Sequence, residues 1–389
     1  MTEKSATTVA LRGMTWDHPR GVDGLRACDQ LLLQRHGVTV EWEARSLLAF
    51  GDQHVADFAS DFDLMVIDHP HVPDAAAAGA LLPLDSLPQL ADLERESVGS
   101  SHESYRYRGT QWALGVDAAA QVAAFRPDRA DGAPVFWSDV LELARTGVVL
   151  WPYKPVDAFS TFATLMAQRG APLAAPDRFV DRGIAGAVLD FMIELAAVVP
   201  AWCADANPID VAEALVGSAG HDDDYHVGVA LFGYTNYSRP GFRQHLLSYD
   251  DLPSFDGRSA GSTLGGAGIA VSASTRHPEL ASAVAATLAG AEAQLGPYTA
   301  GGGQPGNLRA WRSEADNEAT RGFFRNTLRT LERAWVRPRV LGWPEVQFEL
   351  SNLVRDAILS RRVDDAVLDA IERLPDLHLR ESILAGAPS

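Results

Sequence analysis

Cysteine is scarce: Cys28 and Cys203 are the only two in 389 residues. At most one disulfide can form, and neither thiol sits in a metal-type spacing. Cys28 falls in an amphipathic stretch and reads as a small core residue. Basic residues are also short, since 33 Lys and Arg stand against 51 Asp and Glu and leave a formal charge of −18. That balance excludes a nucleic-acid binder, whose phosphate contacts need a basic surface. It suits a monomer whose charge resists association. No apolar run reaches the roughly 18 to 20 residues that cross a bilayer, so no membrane insertion is expected. No Gly-x-Ser-x-Gly nucleophile motif occurs. Gly301-Gly302-Gly303-Gln304-Pro305 lacks the Lys-Ser/Thr of a phosphate loop, which excludes nucleotide binding of that kind. No cofactor is expected.

What is present is an ordinary globular balance, 47% hydrophobic and 22% charged, with length for two or three domains of roughly 150 residues. The first hundred residues alternate strand and helix. Val9 to Met14 reads as a strand, Val22 to His36 as one helix, and Val38 to Ala44 as an alternating strand. Asp52 to Ser60 fits a short helix. Phe62 to Ile67 is a continuous apolar run, expected of a strand buried on both faces. This βαβαβ order implies a parallel sheet with right-handed crossovers. Asp74 to Gly79 reads as a helix, and Trp112 to Phe125 as a strand pair or a strand crossing between lobes. Helices are expected over Trp137 to Arg145, Ala158 to Arg169, Arg182 to Val199 and Ile209 to Gly217, with short strands at Val148 to Leu150 and Val227 to Phe232. The tail reads as helical over Asn317 to Trp335, Pro344 to Leu359 and Asp364 to Leu374.

The most specific stretch follows. Gly265-Gly266-Ala267-Gly268-Ile269-Ala270-Val271-Ser272 is a buried strand leaving a glycine turn. Arg276-His277-Pro278-Glu279-Leu280-Ala281 then starts a helix at a proline, and Gln294, Gly303-Gln304-Pro305-Gly306 and Ala310-Trp311 bring the chain back. Three further segments occur in a matching order: Arg12-Gly13-Met14-Thr15-Trp16; Phe62 to Asp68 with Leu82-Pro83-Leu84-Asp85; and Arg337-Pro338-Arg339 with Trp343-Pro344-Glu345-Val346-Gln347. Together they resemble the solute-binding proteins of ABC importers, in the sugar-type, maltose-binding-protein-like branch. The resemblance implies an α/β, two-lobe, periplasmic-binding-protein-like (type II) fold with hinge strands and a helical C-terminal part. It implies lobe 1 over 1–115 plus about 258–315 and lobe 2 over 116–257 plus about 316–389. It further implies a small-molecule ligand held between lobes, and an ABC permease as partner if the protein is exported. Within the resemblance, Gly265, Gly266, Gln304 and Trp311 line the cleft. Met1 to Thr7 is short and polar, without the charged and apolar regions of a secretory signal. The location expected of the chain as written is therefore cytoplasmic, or periplasmic or cell-surface if a leader was removed.

In open parallel sheets, ligands meet the loops beyond the C-terminal ends of strands. The first strand ends in Thr15-Trp16-Asp17-His18-Pro19-Arg20 and the third in Asp68-His69-Pro70-His71. Three chemistries suit this cluster. Trp16 can stack on a sugar or apolar face while Asp17, His18, Arg20, Asp68, His69 and His71 bond hydroxyls or a carboxylate. His18, His69 and His71 could supply imidazoles to a metal, although none is assigned. Asp17, His18, Asp68, His69 and His71 could also serve acid–base catalysis in a cytoplasmic lyase, isomerase or hydrolase built on the same scaffold. The second lobe adds Trp151, Tyr153 and Lys154 after one strand, and Phe232, Tyr234, Asn236 and Tyr237 after another. Lys154 could hold an anionic group. His221-Asp222-Asp223-Asp224 has a metal-like composition but reads as a solvated acidic loop. Thiaminase is a precedent for an enzyme on this fold with a cleft cysteine, yet the context of Cys203 does not match it, and no catalytic role is assigned. The leading expectation is a binding protein for a carbohydrate or a related hydroxylated or carboxylated compound.

Overall fold

The computed structural model describes residues 9–46, 53–218, 220, 225–258 and 261–380. The chain forms two compact units, the first built from residues up to Ala118 and from Gly266–Ser313, the second from Ala119–Gly265 and from Glu314 onward. It therefore passes between units three times. The strand β6 (Ala113–Phe125) makes the first passage, and β10 (Leu264–Val271) makes the second. These are the hinge strands of a two-lobe α/β fold.

In the first unit, β1 (Val9–Trp16) lies between β2 (Val38–Arg45) and β3 (Leu64–Ile67), parallel to both. Beyond β3 comes β10, antiparallel, with Gly268 opposite Ile67. The sheet is thus mixed, with three parallel strands and a returning strand that runs the other way. The apolar run of β3 is explained by cover on both faces. Leu64 and Val66 join a core with Leu11, Leu25, Val40, Ile269 and Val284. Met65 and Ile67, pointing the opposite way, join Met14, Phe58, Phe62 and Tyr105. Alternate side chains point to alternate faces, so a strand buried on both sides has no polar positions.

The expected helix over Val22 to His36 is two helices, Pro19–Ala27 and Asp29–His36, interrupted at Cys28. Cys28 turns its backbone to ψ −6°, and its N–H bonds the carbonyls of Leu25 and Arg26. Gly37, at φ 64°, then ends the second helix in the left-handed conformation that glycine adopts at little cost. Asp52 lies outside the described residues. The described part of the expected Asp52 to Ser60 helix is two 3₁₀ turns, Val55–Asp57 and Ala59–Asp61. A small hairpin, β4 (Arg106–Tyr107) with β5 (Thr110–Gln111), precedes β6.

In the second unit the outer half of β6 pairs antiparallel with β8 (Val227–Phe232) and β9 (Ser248–Asp250). The short β7 (Val149–Leu150) runs parallel to β8. Helix Pro155–Gln168 packs on helices Arg182–Ala196 and Trp343–Ser360. Trp343 anchors that layer, fully buried against Phe159 and Phe179 at ring distances of 6.5 and 6.4 Å. The expected helix Asn317 to Trp335 is broken into Glu314–Ala319 and Phe323–Glu332, with Gly322 at φ 78° starting the second. The last described helix, Asp365–His378, starts from an Asp364 cap whose side chain accepts from Val367 N–H.

Candidate functional site

Because β1 and β3 are parallel neighbours, with Met14 opposite Met65, the loops after Trp16 and after Ile67 leave the same sheet end side by side. Trp16 is buried, and a side chain at position 21 would meet its ring at 2.5 Å, so Gly21 is the residue that lets the helix start against the indole. His18 is the cap of helix Pro19–Ala27, its Nδ1 accepting from Arg20 N–H at 3.0 Å. That bond requires an unprotonated Nδ1. Asp17 is exposed.

Arg20 does not point to solvent. It is buried and donates from Nε to Asp117 Oδ2 at 2.8 Å and from a terminal nitrogen to Asp117 Oδ1. Asp117 lies on β6 one residue before the chain reaches Ala118, the last residue of the unit on that pass. Burial pushes its carboxyl up and the Arg20 guanidinium pulls it back. In the neighbouring loop Asp68 caps a 3₁₀ turn, its Oδ1 accepting from His69 N–H at 2.8 Å. His69 is fully buried and meets the Tyr105 ring edge-on at 6.1 Å, and His71 is also buried. Of the seven candidates in these two loops, Asp17 is the exposed one and Asp68 is partly exposed.

The glycine and return-loop candidates serve close packing within their own units. A side chain at Gly266 (φ 100°) would lie 2.3 Å from the Asp117 carbonyl oxygen. One at Gly265 would lie 2.7 Å from the Phe232 ring. Gln304 is buried and donates from Nε2 to Ala118 O at 2.8 Å, while Ala118 N–H bonds Gln304 O at 3.0 Å. Trp311 is buried with its indole N–H on Pro305 O at 2.7 Å.

In the second unit, β7 and β8 are parallel, so the loops that follow them leave in one direction. Trp151 is fully buried, stacked on Tyr153 at 4.7 Å and bonded through its indole N–H to Thr161 Oγ1 at 3.1 Å. Burial pushes the Tyr153 hydroxyl up. Lys154, half-buried, is the cap residue of helix Pro155–Gln168 and makes no ion pair among the described residues. It stands at the positive end of the helix dipole, where a cation gains nothing from the backbone. Phe232 is half-buried, and Tyr234 and Asn236 are buried. Asn236 Oδ1 is without a hydrogen-bond partner among the described residues. Tyr237 is committed to the lobe interior, its hydroxyl donating to Glu213 Oε1 at 2.7 Å.

Two carboxyls were missed by sequence reasoning. Asp117 is the one charged residue in a strand whose only other polar side chain is Gln121, a visible signal, since an acidic residue inside such a run needs a partner. Asp157, on the first turn of helix Pro155–Gln168, is 3% exposed, and its Oδ2 has no hydrogen-bond partner among the described residues. Burial pushes its carboxyl up to about 8; Lys154 pulls it down and Asp210 pushes it further up. In sequence it looks like an ordinary helix-start aspartate. Cys203 is buried, and burial pushes its thiol up to about 12, which leaves it a poor nucleophile. No cluster of three or more metal-ligating side chains occurs among the described residues. The segment His221-Asp222-Asp223-Asp224 lies outside them.

No family model matches the sequence, and no curated protein matches it. Solved structures do. T. maritima MalE3 with maltose bound is 20% identical, with a TM-score of 0.79 over 95% of this chain and 100% of its own. An ABC transporter solute-binding protein from Thermotoga lettingae TMO, bound with α-D-tagatose, is 15% identical, with a TM-score of 0.79 over 95% of this chain and 99% of its own. A cyclo/maltodextrin-binding protein complexed with maltotetraose is 14% identical, with a TM-score of 0.70 over 95% of this chain and 96% of its own. The chain has the two-lobe type II fold of the maltose-binding-protein-like solute-binding proteins of ABC transporters.

Proposed function

We propose that this protein is a solute-binding protein for a small hydroxylated ligand, a carbohydrate or a related compound, held between its two lobes and handed to an ABC permease. The observation that carries this reading is the fold likeness over 95% of the chain to three proteins solved with maltose, maltotetraose and tagatose. Chemistry at the strand ends supports it. Asp17 and Asp68 offer acceptors for sugar hydroxyls in one unit, and Tyr234, Asn236 and Lys154 add an aromatic face, an amide and a cation in the other. Arg20 is reassigned to positioning, because its guanidinium is held by Asp117. The mechanism is closure about the hinge strands, driven by the ligand's stronger contacts with the closed state.

The test is a thermal-shift and calorimetric panel of maltose, maltotetraose, α-D-tagatose, other sugars and organic acids. One class is expected to bind stoichiometrically and raise the melting temperature, because a ligand specific to the folded state stabilises it. The bound ligand is expected back intact after incubation. Absence of any saturable binding across the panel overturns the reading, and conversion of the ligand to product replaces it with catalysis.

A further inference from the structure

We propose that the first unit holds one internal water molecule in a pocket between the Ser97–His102 turn and the Gly306–Asn307 segment, with His102 Nε2 as its main partner. This goes beyond the ligand reading and does not depend on it. His102, Glu96, Ser97, Asn307 and Gly306 contribute to the pocket wall, with Leu93 as an apolar side. The space open to the centre of a water-sized sphere is about 10 Å³, the room of a single water.

The polar inventory points to such a guest. His102 is 3% exposed, and its Nε2 has no hydrogen-bond partner among the described residues. A buried polar atom without a partner is costly, and native structures satisfy nearly all of them with protein or ordered water. The ring is carried on a fixed backbone. His102 N–H donates to Ser97 Oγ at 2.9 Å, and His102 O accepts from Gln111 Nε2 at 2.9 Å. In the same lining, Asn307 Nδ2 donates to Glu96 Oε2 at 3.2 Å, and Arg309 stands 3.5 Å from Glu96 Oε1. A carboxylate has about four lone-pair sites, so Glu96 can still accept from a water. A metal ion is disfavoured, because one imidazole and one carboxylate already engaged by Arg309 and Asn307 make a poor ligand set.

The water would brace the segment that fastens β6. Gly306 N–H bonds Gln294 Oε1 at 2.8 Å, Gly306 O accepts from Val98 N–H at 2.9 Å, and two residues earlier Gln304 holds Ala118. A crystal structure of the full chain at about neutral pH and high resolution tests the proposal. One peak is expected within hydrogen-bond distance of His102 Nε2, as well ordered as its surroundings, and it should be lost in His102→Phe. If that variant does not fold, the wild-type map alone decides. An empty pocket, a bond from Nε2 to a protein atom, or a peak with anomalous signal at metal–ligand distance would each overturn it.

Discussion

The Arg20 guanidinium grips both carboxylate oxygens of Asp117, and the two side chains are buried at 4% and 1% exposure. Such a pair is weak evidence of net stabilisation but a strong constraint, because removing one partner strands a buried charge. Arg20→Met is expected to destabilise by about 3–5 kcal/mol. Arg20→Met with Asp117→Leu should recover most of that loss. Urea midpoints for the three proteins check it; a double variant no more stable than Arg20→Met contradicts this account.

Acid should weaken the first unit through His102. Burial lowers its pKa from 6.5 to about 4, with Glu94 raising it and Arg106 lowering it further. A depressed folded-state value means that the unfolded chain takes up the proton first. Stability is full above pH 6.5 and falls progressively towards pH 4, by on the order of 3 kcal/mol for this group. His102→Phe removes that slope, which unfolding curves between pH 7 and pH 4 measure. An identical slope in variant and wild type shows that other groups are responsible.

Asp157 has the opposite sign. Its folded value, raised to about 8 from 3.8, favours the native state at low pH, and the benefit is lost as pH rises from 3.8 through 8. Asp157→Asn keeps the shape and removes the charge. It is expected to stabilise the protein at pH 8 by a few kcal/mol, roughly what a shift of this direction allows at about 1.4 kcal/mol per unit, and to have little effect at pH 4. Melting temperatures at the two pH values read this out, and a loss of stability at pH 8 refutes it.

Ala230 lies inside β8 with φ 50°, at the level where the pairing of β6 with β8 shifts between Val122 and Ala124. A left-handed alanine is strained, and here its carbonyl accepts from the buried Gln121 Nε2 at 2.9 Å. Ala230→Gly should relieve that strain and raise stability by about 0.5–1 kcal/mol, less whatever glycine gains in the unfolded chain. The urea midpoint should move up with the slope unchanged, and a downward shift refutes it.

Binding should respond most to the accessible members of the candidate set. Asp17→Ala and Lys154→Met are expected to weaken ligand affinity by roughly tenfold or more each, the loss of one charge-assisted hydrogen bond of about 1.5–3 kcal/mol, without lowering the melting temperature of the unliganded protein. Calorimetry with the ligand found in the panel measures this. Unchanged affinity in both removes these loops from the site.

Much of the fold is legible in the sequence for reasons of periodicity. The run Leu64 to Ile67 could only be a strand covered on both faces, and Gly265 to Val271 a strand entered through glycines that no side chain could replace. The site was less legible. Helix Pro19–Ala27 begins earlier than expected because a histidine, an uncommon cap, occupies position 18. Its proline at the first turn was the available signal. Asp17 and Arg20, three residues apart and both polar, look equivalent in sequence, yet one is exposed and the other is buried.

The chain by itself determines most of its element types, its acidic balance and which strand ends carry polar and aromatic residues, since these follow from local pattern and composition. Tertiary structure alone decides which of those residues are available. Arg20 meets Asp117 across 97 positions of sequence, and Gln304 meets Ala118 across 186. No local pattern encodes such distant partners; they follow from the order in which the strands pack.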